Sequence, residues 1–330
     1  MRGFRFLLLC LLFIVSLALF ILNRAEASGT SQDSSSYQNY IQGLLYDESG
    51  KYDQAKKAYQ KAVKSDSDAW DIHYRLGLDY LHTEDFNSAE KEFKYVLKVK
   101  PQDEASNFLL ALIYSQKKEY QLAIDQYTNL LKRPLLIFKE TDIFYSLAQL
   151  YVMKKDLVSA EKQYKIILDR NPQDSDAHFY LGYVYSELSK QEDAIKEFKE
   201  SLSIDPENSS ALNSLSYIYA ELNRNLDEAI ILVKKALEFE PSNGAYLDTL
   251  GWVYFKKGDL DNAVRYIENA SVFLEDPEIY GHLGDVYVCK GDLNQAKKNW
   301  DKALKLDPKR KDIKDKIKDL KNKNANGRKT

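Results

Sequence analysis

The chain of 330 residues has few of the residues that build covalent, metal or phosphate sites. Its 2 cysteines are Cys10 and Cys289, and processing after residue 27 would leave one, so no intramolecular disulfide could then form. No histidine lies three or four residues from another histidine or a cysteine, so no metal-binding spacing is present. Phosphate-binding glycine loops, Gly-x-Ser-x-Gly motifs and Cys/His arrangements are also missing. We therefore expect no enzyme activity, no cofactor and no metal.

Neither positive nor negative charge is in large excess. The formal net charge is −3, and Lys and Arg form no stripe along the chain, so nucleic acid is not an expected partner. With 44% apolar residues, 24 Tyr and 14 Phe, the chain has ample material for a packed core. The fold is therefore expected to rest on apolar packing alone.

An alanine recurs every 33 to 37 residues, and a tyrosine nine or ten residues before it keeps the same spacing. Because two residue types stay in phase eight times, we infer that one supersecondary unit has been copied eight times. A period near 34 predicts a solenoid, which offers a long surface rather than a catalytic pocket. The alanines are Ala55, Ala89, Ala123, Ala160, Ala194, Ala229, Ala263 and Ala296, and the tyrosines are Tyr46, Tyr80, Tyr114, Tyr151, Tyr185, Tyr219, Tyr254 and Tyr287.

The second unit shows what is repeated. His73, Leu76, Gly77 and Tyr80 have the spacing of the buried stripe of an amphipathic helix. Helical periodicity resumes after a short polar break and stops at Pro101, since proline disfavours helix in the residue before it. The small residue is expected where two antiparallel helices cross, because only a short side chain lets the backbones approach closely.

This pattern resembles the tetratricopeptide repeat, whose signature is Trp-x2-Leu-Gly-x2-Tyr followed by Ala, an aromatic residue and Pro at fixed offsets. His73 and His178 take the slot of the family's tryptophan and are interpreted as core residues. The resemblance covers residues 36–308, and units five to eight are similar to exported repeat proteins of bacterial envelopes. The Leu-Gly position holds Gln42-Gly43, Leu76-Gly77, Leu110-Ala111, Leu147-Ala148, Leu181-Gly182, Leu215-Ser216, Leu250-Gly251 and Leu283-Gly284, and every proline stands at a unit end: Pro101, Pro134, Pro172, Pro206, Pro241, Pro277 and Pro308.

The resemblance implies an all-α solenoid, a right-handed superhelix of about eight helical hairpins. We expect a capping helix over 309–321, whose Ile313, Ile317 and Leu320 cover the last unit, and a basic disordered tail over 322–330. The units are predicted at about 36–69, 70–103, 104–137, 141–174, 175–208, 209–243, 244–276 and 277–308.

The repeat spacing slips around Arg133 to Phe138, where three extra residues separate units three and four. Two interpretations stay open. The insertion either loosens the superhelix and marks two sub-arrays, or its apolar run is an extended helix cap buried against the neighbouring unit, which we favour. A smaller slip of one residue lies near Asn223 to Asn225 in unit six.

The N-terminus differs from the repeats. Arg2 and Arg5 precede an uncharged run from Phe6 to Leu22, and Ala25 and Ala27 are small residues of the kind a signal peptidase reads. Residues 1–27 are therefore a signal peptide cleaved after Ala27 or a retained membrane anchor, with membrane contact through residues 6–22. In both cases the repeats lie outside the cytoplasmic membrane, periplasmic, secreted or anchored, and residues 28–35 are a flexible leader.

The resemblance also implies a peptide-binding groove. In this family two offsets on the first helix of each unit line the concave groove, and here they are aromatic and aliphatic, which gives large contact area at low entropic cost. Alternatively, these side chains bind no ligand and only add to the packing between adjacent first helices. At the first offset stand Tyr40, Tyr74, Phe108, Tyr145 and Phe179, then Asn213, Asp248 and Gly281; four residues on stand Leu44, Leu78, Leu112, Gln149, Tyr183, Tyr217, Trp252 and Asp285.

From these features we expect a non-enzymatic scaffold that binds a peptide segment of another cell-envelope protein in this groove. The alternative is a structural spacer of a secretion, polysaccharide-export or pilus machine, docked by its convex face or its ends. Both make other proteins the expected partners. Members of the family that grip a charged C-terminus use Lys and Asn at these offsets, so that mechanism is not expected here.

Overall fold

The computed structural model describes residues 31–326 and, within them, the side chains of residues 35–320. This part of the chain forms seventeen helices and no strand, which confirms the predicted all-α fold. In chain order they are α1 (Ser31–Glu48), α2 (Tyr52–Ser65), α3 (Trp70–His82), α4 (Phe86–Val99), α5 (Glu104–Gln116), α6 (Tyr120–Leu130), α7 (Glu140–Met153), α8 (Leu157–Arg170), α9 (Ser175–Glu187), α10 (Gln191–Ile204), α11 (Ser209–Glu221), α12 (Leu226–Phe239), α13 (Gly244–Lys256), α14 (Leu260–Phe273), α15 (Pro277–Cys289), α16 (Leu293–Leu306) and α17 (Lys311–Asn326).

Two predicted boundaries differ from the structure. Residues 31–35 of the expected flexible leader belong to α1, whose Ser36 Oγ donates a hydrogen bond to the carbonyl oxygen of Ala62 at 3.0 Å. Residues 322–326 of the expected disordered tail continue α17, because extending an existing helix adds one backbone hydrogen bond per residue. The predicted signal peptide or anchor, residues 1–27, lies outside the described residues, and no helix within them is long and apolar enough to cross a bilayer.

The turn inside each hairpin carries a residue with positive φ. Glycine tolerates this conformation because it has no Cβ, yet most of these turns use other residues. Unit six has two such residues, which is how its one-residue insertion is accommodated. The residues, with φ between 50° and 81°, are Gly50, Glu84, Lys118, Lys155, Ser189, Asn223, Asn225, Gly258 and Gly291.

The crossing of the two helices in a hairpin depends on small side chains, as the sequence predicts. A Cβ added to Gly77 would lie 2.9 Å from the ring of Phe93, and one added to Gly284 would lie 2.2 Å from the indole of Trp300. The repeated alanine of the second helix is fully buried in all eight hairpins. The helix axes can therefore approach only where these positions stay small.

The chain divides into two compact units, one ending at Ile143 and the other beginning at Phe144. The first contains α1 to α6, and one of its core clusters includes Tyr40, Tyr59 and Leu76. The second contains α8 to α17, and its terminal cluster includes three apolar side chains of α17, which confirms the predicted cap: Ile313, Ile317 and Leu320.

Replacing Gly251 by alanine is expected to destabilise the second compact unit. The new Cβ would lie 2.4 Å from Cγ1 of Ile267 and 3.0 Å from the carbonyl oxygen of Ala263, and a backbone atom in a packed helix cannot move aside. We expect the free energy of unfolding to fall by about 1–3 kcal/mol, measured by urea denaturation followed by circular dichroism.

Gly281 is the matched control, since it is also a buried glycine of a first helix in the same compact unit. A Cβ there would meet Cδ1 of Ile313 at 3.4 Å, an ordinary contact. Alanine should therefore leave stability unchanged or raise it by up to about 1 kcal/mol through helix propensity. Equal losses in the two variants would contradict the close-crossing argument.

Candidate functional site

In the first compact unit, protein covers much of the predicted groove. Tyr40 is 3% exposed and Phe108 is 5% exposed, so neither side chain offers a surface to a ligand in this structure. The other predicted positions are partly buried: Leu44, Tyr74, Leu78 and Leu112.

The segment from Arg133 to Phe138 explains the burial of Phe108. The backbone N–H groups of Leu136 and Ile137 donate to the carboxylate of Glu104 at 2.8 and 2.9 Å, and the ring of Phe138 stacks on Phe108 with centroids 4.2 Å apart. Leu136 is 91% exposed, and the segment is not helical, so it is not the buried helix cap favoured from the sequence. Charge-assisted hydrogen bonds instead hold it as a loop on the N-terminus of α5.

Tyr40 belongs to a buried polar cluster of the same unit. Its ring packs on Tyr59, whose hydroxyl donates to Asp47 at 2.6 Å. Arg75 and Asp79 are 3% and 2% exposed. Burial, together with the hydrogen bond and charge of the neighbouring Asp47, raises the pKa of Asp79 to about 9. This cluster ties the hairpins together, and a ligand cannot reach it.

In the second compact unit the predicted aromatic residues remain more accessible. The hydroxyl of Tyr145 donates to Asp174 at 2.7 Å, which fixes the ring beside the first turn of α9. Phe179 is partly buried and packs on Phe198, with centroids 5.9 Å apart. Tyr183 is 41% exposed. The face of the first helices is thus aromatic and open at α9.

Further along this unit the aromatic residues make polar contacts. The Tyr217 hydroxyl donates to Glu278 at 3.0 Å, and burial followed by this carboxylate raises the pKa of Tyr217. Trp252 is 8% exposed, and its Nε1–H donates to Glu221 at 2.7 Å. Its indole stacks on His282 with centroids 3.9 Å apart. Trp252 is therefore a packing residue in this structure, whereas Tyr217 is only partly buried.

A cavity of about 400 Å³ opens beside Tyr183 and Tyr217. Residues of α9, α11, α13 and α15 line it, together with Phe198 of α10 and Leu274 at the end of α14. No lysine or arginine lines it, and we call it the acidic cavity. Its carboxylate and amide side chains are Glu187, Asn213, Asp248, Asp276 and Glu278.

Asp248 forms the floor of the polar part. It is 7% exposed, and its Oδ2 accepts a hydrogen bond from Nδ1 of His282 at 2.8 Å. Burial disfavours the charged imidazole, but the Asp248 carboxylate outweighs it and raises the pKa of His282. Asp248 Oδ1 and Asn213 Oδ1 are buried, and neither has a hydrogen-bond partner. The site thus presents two uncompensated acceptors.

Sequence reasoning missed the acidic cavity as a site. It placed Asn213, Asp248 and Gly281 on the groove stripe but treated them as the point where the aromatic row ends. That change was the available signal, because shorter side chains at this offset leave the space that the longer rings fill elsewhere. Glu187, Asp276 and Glu278 carried no signal, since Glu187 lies far along the chain from the other two, which start a later hairpin.

The histidines form structural pairs. Nδ1 of His73 lies 2.5 Å from Glu92, and Nδ1 of His178 lies 2.6 Å from Glu197 at the equivalent place in a later hairpin. His73 is 7% exposed, and His178 is partly buried. Within the described part of the chain, no group of three or more His, Cys, Asp or Glu side chains is placed to hold a metal ion.

Comparison with known proteins identifies the repeat. Family models described as TPR repeat and as tetratricopeptide repeat match this chain in several segments that together span most of the helical region. The first matches residues 43–83, and the others match residues 74–134, 145–209, 245–271 and 277–310.

A solved structure has a similar fold, and two curated proteins are similar in sequence over part of their length. A crystal structure of a tetratricopeptide repeat protein from Parabacteroides merdae has a TM-score of 0.64 at 20% identity, covering 76% of this chain and 98% of that one. Anaphase-promoting complex subunit 3 of Schizosaccharomyces pombe is 26% identical over 47% of this chain and 23% of its own length. The 131 kDa subunit of transcription factor tau of Saccharomyces cerevisiae is 31% identical over 37% of this chain and 12% of its own. The matches thus span less than a quarter of either relative.

Substituting Asp79 by asparagine is expected to change how stability depends on pH. The unfolded pKa of an aspartate is about 3.9, so a folded value near 9 means that the folded state binds more protons between these values. The stabilising contribution of protonated Asp79 is then fully present at low pH and is lost as the pH rises towards 9. At pH 8 the free energy of unfolding of the variant should exceed that of the wild type by at least about 1 kcal/mol. At pH 4 this difference should be smaller. Thermal unfolding at both pH values measures this, and parallel pH curves for the two proteins would contradict it.

Proposed function

Because the chain belongs to the tetratricopeptide repeat family, we propose that it is a non-enzymatic scaffold that binds a peptide segment of another cell-envelope protein. Proteins built from these repeats bind other proteins, and the first-helix face of the second compact unit is the proposed binding surface. The observation that supports this most is the aromatic row Phe179, Tyr183 and Tyr217, in which Tyr183 is exposed and lines a cavity of about 400 Å³ together with Tyr217.

The chemistry of this face suits a peptide. Exposed rings give large apolar contact at low entropic cost, and a cavity beside them accepts one side chain and fixes its register. Tyr183 is the best placed ring, since it is 41% exposed and also lines the cavity. The envelope as the place of action rests on Arg2, Arg5 and the apolar run from Phe6 to Leu22.

Photo-crosslinking at position 183 tests the binding face. A benzoylphenylalanine placed there should crosslink to a partner in envelope extracts, and digestion should identify one peptide segment of that partner. In the uncrosslinked protein, Tyr183→Ala should weaken binding of the synthetic segment about tenfold, because a central interface aromatic carries at least about 1.4 kcal/mol.

Ile231 is the matched control position. It is 69% exposed and lies on α12, a second helix of the same compact unit. The proposal expects crosslinks from position 183 and none from 231. Crosslinks confined to 231 would instead favour the spacer role, in which partners dock on the convex second helices.

The location of the repeats is tested with Cys289, which is exposed on the last residue of α15. If the repeats lie outside the cytoplasmic membrane, a membrane-impermeant maleimide should label this thiol in cells whose cytoplasmic membrane is intact. Cys289→Ser should abolish the labelling. Labelling that appears only after lysis would contradict export, and the intact mass of the purified chain shows whether it begins at Ser28.

A further inference from the structure

We propose that the acidic cavity binds a single arginine side chain of the bound peptide. This inference rests on the proposed function, since it names the chemistry of the segment that lies on the first-helix face. It turns a general peptide-binding surface into a site with one chemical requirement: a cationic, planar donor group at the position that enters the cavity.

The first argument is charge. Four carboxylates line the cavity, one from α9, one from α13 and two from the start of α15, and no lysine or arginine does. Arg310 and Lys316 lie outside the lining and are paired with other carboxylates, Arg310 with Asp312 at 2.7 Å and Lys316 with Asp285 at 2.7 Å. The field inside the cavity therefore favours a cation supplied from outside. The carboxylates are Glu187, Asp248, Asp276 and Glu278.

The second argument is an unmet hydrogen-bonding demand. Asp248 is more than nine-tenths buried and lines the cavity, yet its Oδ1 has no partner; only Oδ2 is bonded, to His282. The buried Oδ1 of Asn213 likewise has none. Buried acceptors without donors cost free energy, and a ligand that brings N–H groups recovers it. The site is thus built to be completed by a donor.

Not every carboxylate is available for this role. Oδ1 of Asp276 already accepts from the backbone N–H of Glu278 at 2.7 Å, which caps α15. Oε1 of Glu278 accepts from Tyr217. The buried acceptors that no protein group satisfies are Asp248 Oδ1 and Asn213 Oδ1, and the exposed Glu187 lies at the rim.

The shape of the site selects arginine among cations. Guanidinium carries five N–H donors in a planar fork, matches carboxylates in two directions and stacks on aromatic rings. Tyr183 and Tyr217 supply such rings in the lining. A volume of about 400 Å³ also leaves room for the methylene stem. Lysine is a more strongly hydrated point charge and meets fewer acceptors, so it should bind less tightly.

The test uses the full chain and three labelled probes, acetyl-Tyr-Ala-Arg-Ala-Tyr-amide and its lysine and citrulline analogues. Citrulline keeps the shape of arginine and removes the charge. Fluorescence polarisation should show the arginine probe binding at least tenfold more tightly than the citrulline probe, with lysine between them. Asp248→Asn should weaken the arginine probe at least tenfold and leave the citrulline probe unchanged.

Two further variants complete the design. Asp248→Asn keeps an oxygen that accepts from His282, so the fold should persist; if it does not, Glu187→Gln at the exposed rim is expected to weaken the arginine probe several-fold. Glu200→Gln removes the same charge from an exposed position on α10 outside the cavity and should change nothing.

The outcomes separate this inference from the proposed function. Equal affinities of the arginine and citrulline probes for the wild type would overturn the arginine site. So would an equal loss of affinity of these two probes on Asp248→Asn. Either result would leave peptide binding on this face intact. Failure of all three probes to bind at millimolar concentration also overturns the arginine site, and crosslinking at Tyr183 then decides peptide binding independently.

Discussion

The structure depends on how closely the two helices of a hairpin can cross. Where Gly77 faces Phe93, or Gly284 faces Trp300, the absence of one side chain makes space for a ring of the partner helix, and the buried alanine completes the contact. The alanine side of this contact recurs in all eight hairpins, where it is fully buried. The stability of the array is then spread over many equivalent crossings, as expected for a repeat protein.

This arrangement also decides what remains for function. Large side chains beside the crossing are buried in the hairpin core, so only positions next to the core stripe are free to vary. In the first compact unit that freedom is used for internal contacts, with Phe138 stacked on Phe108 and a polar cluster around Asp79. In the second, shorter residues at the same offset open the acidic cavity. The first-helix positions are thus largely covered in the first compact unit and partly accessible in the second.

Much of the fold could be predicted from the sequence, because it follows from local periodicity. The hairpins, the small residues at the crossing and the α17 cap are each visible as spacing. The burial of Trp252 and Phe108 could not be predicted, since it depends on His282 and on a loop residue, Phe138, that lies outside the period. The cavity could not be predicted either, because its four carboxylates come from three separate places in the chain. Turns such as that at Lys118 adopt positive φ without glycine, which no composition rule signals.

The stack of Trp252 on His282 has an optical consequence. The ring centroids of Trp252 and His282 lie 3.9 Å apart, and Nδ1 of the same imidazole is hydrogen-bonded to the Asp248 carboxylate that lines the cavity. Trp252 is one of only 3 tryptophans in the chain. The Asp248 carboxylate raises the pKa of His282, so a ligand that neutralises this carboxylate should lower that pKa, and the change in protonation should alter the emission of the stacked indole. The molecule therefore contains its own fluorophore for occupancy of the cavity, without an added label.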